Sequence, residues 1–262
     1  MRVIVPILFC FLLTGCATYY NTATQRNETA WLSSQQEVSM ARSTLQSKLK
    51  DKVIVNDVRA QSVANRLALS INSPRVSEKY IIVYQDKEVQ AFTPGGGYVA
   101  VTTALVNAAT DDELAAVIAH EMGHDEARHV MKMVEGGLGT QTILTLAYLL
   151  DTRPADKKDR SWQYFSQATN VIYTLAANGF SRRDEYEADR LSIKYMYEAG
   201  YDPNAIITFL EKLKQLGGDK NWVYFLRSHP YLDERIAAAR EEIIKLEMAP
   251  GNVEVPAPYA KL

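Results

Sequence analysis

The sequence of 262 residues predicts an α+β domain that is mainly helical and carries a small β-sheet beside one polar helix. Two patterns indicate this class. Three short runs rich in β-branched and aromatic residues fall between positions 79 and 102 and are typical of strands. After them, apolar residues recur almost entirely at helical spacing. With 47% hydrophobic residues, the chain can bury one core of ordinary size.

The predicted elements follow in chain order. A polar tether at 17–27 leads into a helix at 28–50, and an amphipathic helix covers 53–71. Strands are predicted at 79–84, 88–93 and 97–102, the last two around the turn Pro94-Gly95-Gly96. Helices are then predicted around 138–150, 161–177, 181–199, 203–215 and 232–248.

Residues 52–248 are expected to form the folded domain. Residues 1–15 are predicted to be a lipoprotein signal peptide, 16–51 a lipid-anchored tether with an N-terminal helix, and 249–262 a flexible tail. A charged loop at 151–159 is placed to lie over the cleft.

One helix carries a motif with chemical meaning, His-Glu-Met-Gly-His at 120–124. A capping box at 110–113 and an apolar stripe predict that this segment is helical. Four helical positions turn a side chain by about 40°, so His120 and His124 point at one metal ion. Glu121 is placed to hold and deprotonate a water at that metal, a pattern typical of zinc metalloproteases. A metal-free amphipathic helix is the alternative.

A catalytic zinc needs a third protein ligand and one open position for water. His129 follows the motif, but on a continuous helix it lies about 180° around from His120. We therefore expect His129 to be a surface histidine, or one that supports a ligand from outside, rather than a ligand.

A second helix, predicted to start at Ser181, offers the third ligand. Asp184 is expected to cap this helix, and Glu187 to form ion pairs with arginines one turn away. Only Glu185 has another acidic residue, Asp189, one turn later on its own face. This predicts that Glu185 binds zinc and that Asp189 accepts a hydrogen bond from the outer nitrogen of a ligating histidine. An exposed charged helix without a metal is the alternative.

Four sequence blocks occur in the order typical of one enzyme family, at 91–99, 120–124, 181–189 and 229–236. They resemble the gluzincin metallopeptidases of the HtpX and CAAX-prenyl-endopeptidase type, numbered forty-eight in the metallopeptidase classification. The resemblance spans residues 55–245 and implies a zincin fold, with a small sheet beside the active-site helix. It also implies one zinc ion on His120, His124 and Glu185, with Glu121 as general base.

His229, followed by Pro230, begins the last of these blocks. The resemblance places this segment at the active site, where a donor is needed for the oxyanion that develops on the peptide carbonyl. We therefore assign His229 to transition-state stabilisation. Two alternatives remain: His229 fills the open zinc position and keeps the enzyme latent, or it is an ordinary loop residue.

The strand at 97–102 leads towards the metal-binding helix. An edge strand in this place can pair with an extended peptide through main-chain hydrogen bonds. Gly97, Tyr98 and Val99 are therefore predicted to bind substrate, and the substrate is predicted to be unfolded or flexible.

The N-terminus indicates where the protein acts. The apolar run at 3–13 is too short to span a bilayer, and the following Leu-Thr-Gly-Cys resembles a bacterial lipobox ending at Cys16. Cleavage before Cys16 and lipid attachment to it are implied, and Ala17 favours the outer membrane. An ordinary cleaved signal is the alternative. The only other cysteine, Cys10, lies in the segment to be removed, so the mature domain is predicted to have no disulfide.

Together these features predict a zinc endopeptidase that faces the periplasm from a lipid anchor. Its expected partners are unfolded or misfolded envelope polypeptides, the membrane, and other envelope assembly or protease proteins. The formal net charge of −2, without a basic stripe, argues against a nucleic-acid partner. The alternative is a latent or non-proteolytic chaperone or assembly lipoprotein that uses the same groove.

Overall fold

The computed structural model describes residues 17–21, 24–73, 75–136, 179–216 and 219–248. The strands are β1 (Ala17–Asn21), β2 (Arg26–Ala30), β3 (Ile54–Val55), β4 (Tyr80–Tyr84), β5 (Ala91–Gly95) and β6 (Tyr98–Thr102). The helices are α1 (Ser34–Lys48), α2 (Val58–Ser70), α3 (Thr103–Ala108), α4 (Asp111–Glu126), α5 (Arg182–Ala199), α6 (Ala205–Leu216), α7 (Val223–Ser228) and α8 (Leu232–Met248). Residues 129–136 are also helical.

The mainly helical α+β class is confirmed, with a small sheet beside the helix that carries the motif. Several predicted segments lie outside the described residues, namely the signal peptide with Cys16, the helices at 138–150 and 161–177, the loop at 151–159 and the tail from 249. None of the helices that the structure describes is long and apolar enough to cross a membrane.

The main sheet has four strands in the order β3-β4-β6-β5. Strand β4 runs parallel to β6, whereas β3 pairs with β4 and β5 pairs with β6 in antiparallel fashion. Strand β6 is therefore an inner strand, and β5 is the outer strand next to it. The turn between these two strands requires glycine, since Gly95, Gly96 and Gly97 all have positive φ.

Helices cover both faces of this sheet. Side chains of α1 contact one face, where the apolar cluster includes Ala41, Leu45, Tyr84, Phe92 and Ala100. Helices α2 and α4 cover the other face, where the largest core cluster includes Leu67, Val83, Val99, Val101, Leu114 and Ile118. The sheet thus supports α4 along its length, which holds the motif in a fixed position.

Two predicted capping boxes are confirmed. Thr110 Oγ1 accepts a hydrogen bond from the Glu113 amide at 3.2 Å, and Glu113 Oε2 accepts one from the Thr110 amide at 2.9 Å. At the start of α5, Ser181 Oγ accepts from the Asp184 amide at 3.2 Å, and Asp184 Oδ2 accepts in return from the Ser181 amide at 3.2 Å. Asp184 therefore acts as a capping residue of α5, as the sequence predicts.

The N-terminal segment differs from the prediction of a polar tether. Strands β1 and β2 form an antiparallel hairpin in the region 17–30, and α1 begins only at Ser34. Polar side chains hold this hairpin together, since Tyr19 Oη donates to Glu28 Oε2 at 2.6 Å and Asn21 is fully buried. The sequence does not predict β1 and β2, because neither strand carries a run of apolar residues.

Helices α4 and α5 lie close together at Gly123. A Cβ atom at this position would lie 2.8 Å from the Ala188 carbonyl oxygen and 3.3 Å from Leu191 Cβ. The contact with Ala188 is backbone, so it cannot be relieved by rotating a side chain. Gly123 therefore sets the distance between the two helices.

We predict that Gly123→Ala lowers the free energy of unfolding by about 1–3 kcal/mol, because the added methyl group forces α4 and α5 apart. Denaturant unfolding of the purified domain measures this. Gly136→Ala is the matched control, since a Cβ there meets no atom of the described residues within 4 Å. Equal stability of the two variants would show that the helix spacing is not set at Gly123.

Candidate metal centre

The motif residues of α4 lie in the interior of the molecule. His124 and Glu121 have no exposed surface, and His120 is 3% exposed. The Nε2 atoms of the two histidines are 3.0 Å apart. The helix therefore aims both imidazoles into one small space, as the four-residue spacing predicts.

Helix α5 brings Glu185 to the same space. Its Oε2 lies 3.5 Å from Nε2 of His120, and its Oε1 lies 3.4 Å from Nε2 of His124. Asp184 stays at the helix start and Glu187 points to the rim, where its Oε1 accepts from Arg183 Nε at 2.8 Å. Asp184, Glu185 and Glu187 are the candidates for the third ligand. Of these three, the structure brings only Glu185 to the two histidines.

His229, the residue directly after α7, completes the cluster. Its Nδ1 is 3.2 Å from His120 Nε2 and 3.2 Å from Glu185 Oε1. The four residues His120, His124, Glu185 and His229 each offer one ligand atom, and these atoms all lie within 4.8 Å of one another. This set is suited to a single metal ion, and nitrogen and oxygen donors of this kind favour zinc.

The His229 ring also faces the general-base candidate. Its Nε2 lies 3.2 Å from Glu121 Oε1. Burial alone would lower the pKa of His229, but Glu185 and Glu121 beside it raise that pKa to about 9. A divalent cation among the same ligands would compete with this proton.

The Glu121 carboxylate fits a role toward a water at the metal. Both of its oxygens are buried, and neither receives a hydrogen bond of ordinary geometry from a residue that the structure describes. Burial tends to raise the pKa of Glu121, but the neighbouring histidines, His229 first, hold it below its usual range. The His229 imidazole at 3.2 Å balances part of this buried charge, and the remaining acceptor positions of the two oxygens are suited to a bound water.

A second layer fixes the orientation of the ligands. Asp189 Oδ1 lies 2.8 Å from Nδ1 of His120, so the outer nitrogen of this histidine has a carboxylate partner. Arg235 of α8 reaches both acids, with Nε 2.8 Å from Asp189 Oδ2 and Nη1 2.6 Å from Glu185 Oε2. Although burial raises the pKa of Asp189, Arg235 and His120 lower it on balance, so Asp189 stays ionised.

Sequence reasoning did not assign a role to Arg235. The residue lies in the block at 229–236, and its spacing from Asp189 in the chain gives no local sign of contact. The only available signal was the need to balance two acids on one face of α5 with a buried cation.

No sequence pattern assigns a role to Lys48, at the end of α1. Its Nζ lies 3.7 Å from the centroid of the Phe92 ring and 5.4 Å from that of Tyr224. Burial lowers the pKa of Lys48 to about 7, against a weaker opposing effect of acids that include Glu121. The Lys48 ammonium therefore loses its proton near neutral pH, and it lies over the ring of Phe92 on β5.

The predicted substrate strand conflicts with the strand order. Tyr98 and Val99 lie on β6, which pairs with β4 on one side and with β5 on the other. The Gly97 amide donates to Asp125 Oδ2 at 3.1 Å, and its carbonyl accepts from the Tyr80 amide at 2.8 Å. These backbone groups are already used, so Gly97, Tyr98 and Val99 are not free to add a substrate strand.

Comparison with known sequences places this arrangement in a family. The sequence model of peptidase family M48 matches residues 55–243. The chain belongs to peptidase family M48. It is therefore a zinc metalloendopeptidase, and the expected cofactor, one zinc ion, agrees with the cluster of His120, His124, Glu185 and His229.

Two relatives from Escherichia coli strain K12 are informative. Metalloprotease LoiP is 32% identical over 185 residues, covering 71% of this chain and 69% of LoiP. The beta-barrel assembly-enhancing protease is 29% identical over 181 residues, covering 68% of this chain but only 37% of that protein. The chain thus spans little more than a third of this second relative.

Among solved structures, the crystal structure of S. mikatae Ste24p matches with a TM-score of 0.43 and 20% identity. The match covers 78% of this chain and 55% of Ste24p.

Proposed function

We propose that this family M48 enzyme hydrolyses peptide bonds in unfolded or misassembled proteins of the cell envelope. The carrying observation is the buried set of His120, His124 and Glu185 with Glu121 beside it. The names of the relatives, a metalloprotease and a beta-barrel assembly-enhancing protease, support an envelope role. The lipobox at Cys16 supports action from the outer membrane, facing the periplasm.

The chain's own residues divide the work. His120, His124 and Glu185 would hold zinc, which when bound lowers the pKa of a water and polarises a carbonyl. Glu121 accepts the proton of the water that adds to the scissile carbonyl and then donates it to the leaving nitrogen. Asp189 keeps His120 in the tautomer whose Nε2 is free to bind metal.

We predict that Glu121→Gln abolishes cleavage of casein while zinc stays bound. The amide cannot accept the proton, so we expect a loss of at least about 10²–10⁴-fold, the usual contribution of a general base. Cleavage of labelled casein and zinc content per chain are measured on the same sample. Equal cleavage by the variant and the wild type would exclude Glu121 as the base.

The second candidate function is a latent or chaperone-like lipoprotein, and the position of His229 favours latency. His229 offers the fourth ligand atom of the cluster, and its Nδ1 is the ring nitrogen that lies 3.2 Å from both His120 and Glu185. This is the position that water or substrate needs. In this arrangement His229 does not donate to an oxyanion, because both of its ring nitrogens face groups of the resting site. We therefore favour the latent state over the donor role.

We predict that His229→Ala increases the turnover of casein, because the alanine leaves the fourth position free. Zinc content and melting temperature are measured beside turnover, so that loss of the metal is not mistaken for loss of catalysis. A variant that keeps zinc but loses turnover would instead support the donor role assigned from the sequence. The chaperone alternative is supported if neither the wild type nor this variant cleaves casein.

We predict that Cys16 carries the lipid anchor. Labelled palmitate is expected to be incorporated into the wild-type chain in bacteria and to be absent from Cys16→Ser. The serine variant is also expected to leave the outer-membrane fraction. Cys10→Ser is the matched control, because Cys10 lies in the predicted signal peptide and should not affect the label. Persistence of the label in Cys16→Ser would exclude this anchor.

A further inference from the structure

The outer ring nitrogens, Nδ1, of the two motif histidines have different partners. Metal-ligating histidines usually donate their outer N–H to a carboxylate, a backbone carbonyl or water. His120 follows this rule through Asp189. For His124 the partner is another imidazole, since its Nδ1 lies 2.8 Å from Nδ1 of His129.

A break in the helix brings His129 to this place. On a continuous helix, His129 would lie about 140° around from His124. Helix α4 instead ends at Glu126, and Arg128 adopts a left-handed conformation with φ of 58° before helical structure resumes at 129. The chain therefore turns back, and His129 becomes 2% exposed beside His124.

The left-handed residue is held by buried ion pairs. This conformation is sterically unfavourable for a residue other than glycine, so it needs support from its surroundings. Arg128 is 1% exposed; its Nε donates to Glu37 Oε1 at 2.6 Å and its Nη2 to Glu135 Oε1 at 2.8 Å. Acids on two different elements thus fix the turn that places His129.

The far side of His129 faces acids at the rim of the site. Its Nε2 lies 3.3 Å from Glu187 Oε2 and 3.5 Å from Asp184 Oδ1. The other oxygen of Glu187, Oε1, accepts a hydrogen bond from Arg183 Nε at 2.8 Å. Glu187 thus acts as an acceptor on both sides, which favours the proton of His129 on Nε2.

These contacts define one direction of hydrogen bonding. With its proton on Nε2, His129 presents a lone pair at Nδ1 and accepts the Nδ1 proton of His124. His124 then has its free lone pair on Nε2, the nitrogen that faces His120 and Glu185. The order is Glu187, His129, His124, and it ends at the metal position.

We propose that His129 is a positioning residue for the metal centre, which holds His124 in the zinc-binding tautomer and orientation and is itself oriented by Glu187. It does for His124 what Asp189 does for His120. The proposal rests on His124 as a metal ligand, and it does not require that the protein cleaves any particular substrate.

The test is zinc affinity, measured by competition with a chromophoric chelator on the purified domain. His129→Leu is expected to weaken zinc binding by about 10–100-fold, the usual effect of removing such a partner. His129→Asn is expected to restore most of the affinity, because its amide oxygen can accept the Nδ1 proton of His124. Ser192→Ala is the control, a buried α5 residue that donates to the Ala116 carbonyl and should leave the affinity unchanged.

Rescue by asparagine separates positioning from packing, since a purely structural role would not favour an acceptor over an apolar group of similar size. Wild-type affinity in His129→Leu, or equal losses in the leucine and asparagine variants, would overturn the proposal. If His129→Leu does not fold, Glu187→Leu is used, because Glu187 is only half-buried. Wild-type zinc affinity in that variant would overturn the proposal as well.

Failure of this inference and failure of the proposed function have different signatures. Zinc affinity is read without substrate, and casein cleavage is read at saturating zinc. A wild type that binds zinc but does not cleave casein leaves the positioning test intact.

Discussion

Three carboxylates are buried together in one small site, so their charge must be balanced from within the fold. Glu121 and Glu185 have no exposed surface and Asp189 has 3%. Each ionised carboxylate taken out of water costs several kcal/mol unless it is paired. Arg235 offsets this cost for Glu185 and Asp189, and it also donates to the His229 carbonyl at 3.4 Å. The same guanidinium therefore fixes α8 and the position of His229 relative to α5.

A second buried network holds the C-terminal end of α4. Arg75 pairs with Glu37 of α1 and donates to the Asp125 carbonyl at 2.7 Å, while Lys79 Nζ lies 3.1 Å from Asp125 Oδ2. These residues come from the helix before the sheet, the segment before β4 and the last turn of α4. Breaking one member of a buried pair typically costs about 3–5 kcal/mol, so the end of the motif helix cannot shift easily. Arg128 belongs to this network through Glu37, which connects it to the placement of His129.

What the sequence could predict depends on how local each signal is. The roles of His124 and Glu185 can be predicted from the sequence, because helical spacing and capping patterns act over a few residues. The role of Arg235 cannot, because its partners are set by how α8 packs against α5. For His129 the sequence leaves two positions open, the surface or the support of a ligand, because nothing in it marks Arg128 as left-handed; the structure has His129 beside His124. The order of the strands, which makes β6 an inner strand, depends on long-range pairing in the same way.

The charge of the site explains why a histidine stands at the fourth position. Within the described part of the site, three buried carboxylates and the guanidinium of Arg235 give a net charge of −2, if His120 and His124 are neutral. A divalent cation balances this charge. A protonated imidazole can supply positive charge at the same place, and Glu185 and Glu121 raise the pKa of His229 to about 9. Metal and the proton on His229 therefore satisfy the same electrostatic demand. Zinc binding should therefore favour a neutral His229, whose Nδ1 would then be available for the fourth position, in agreement with the latent state.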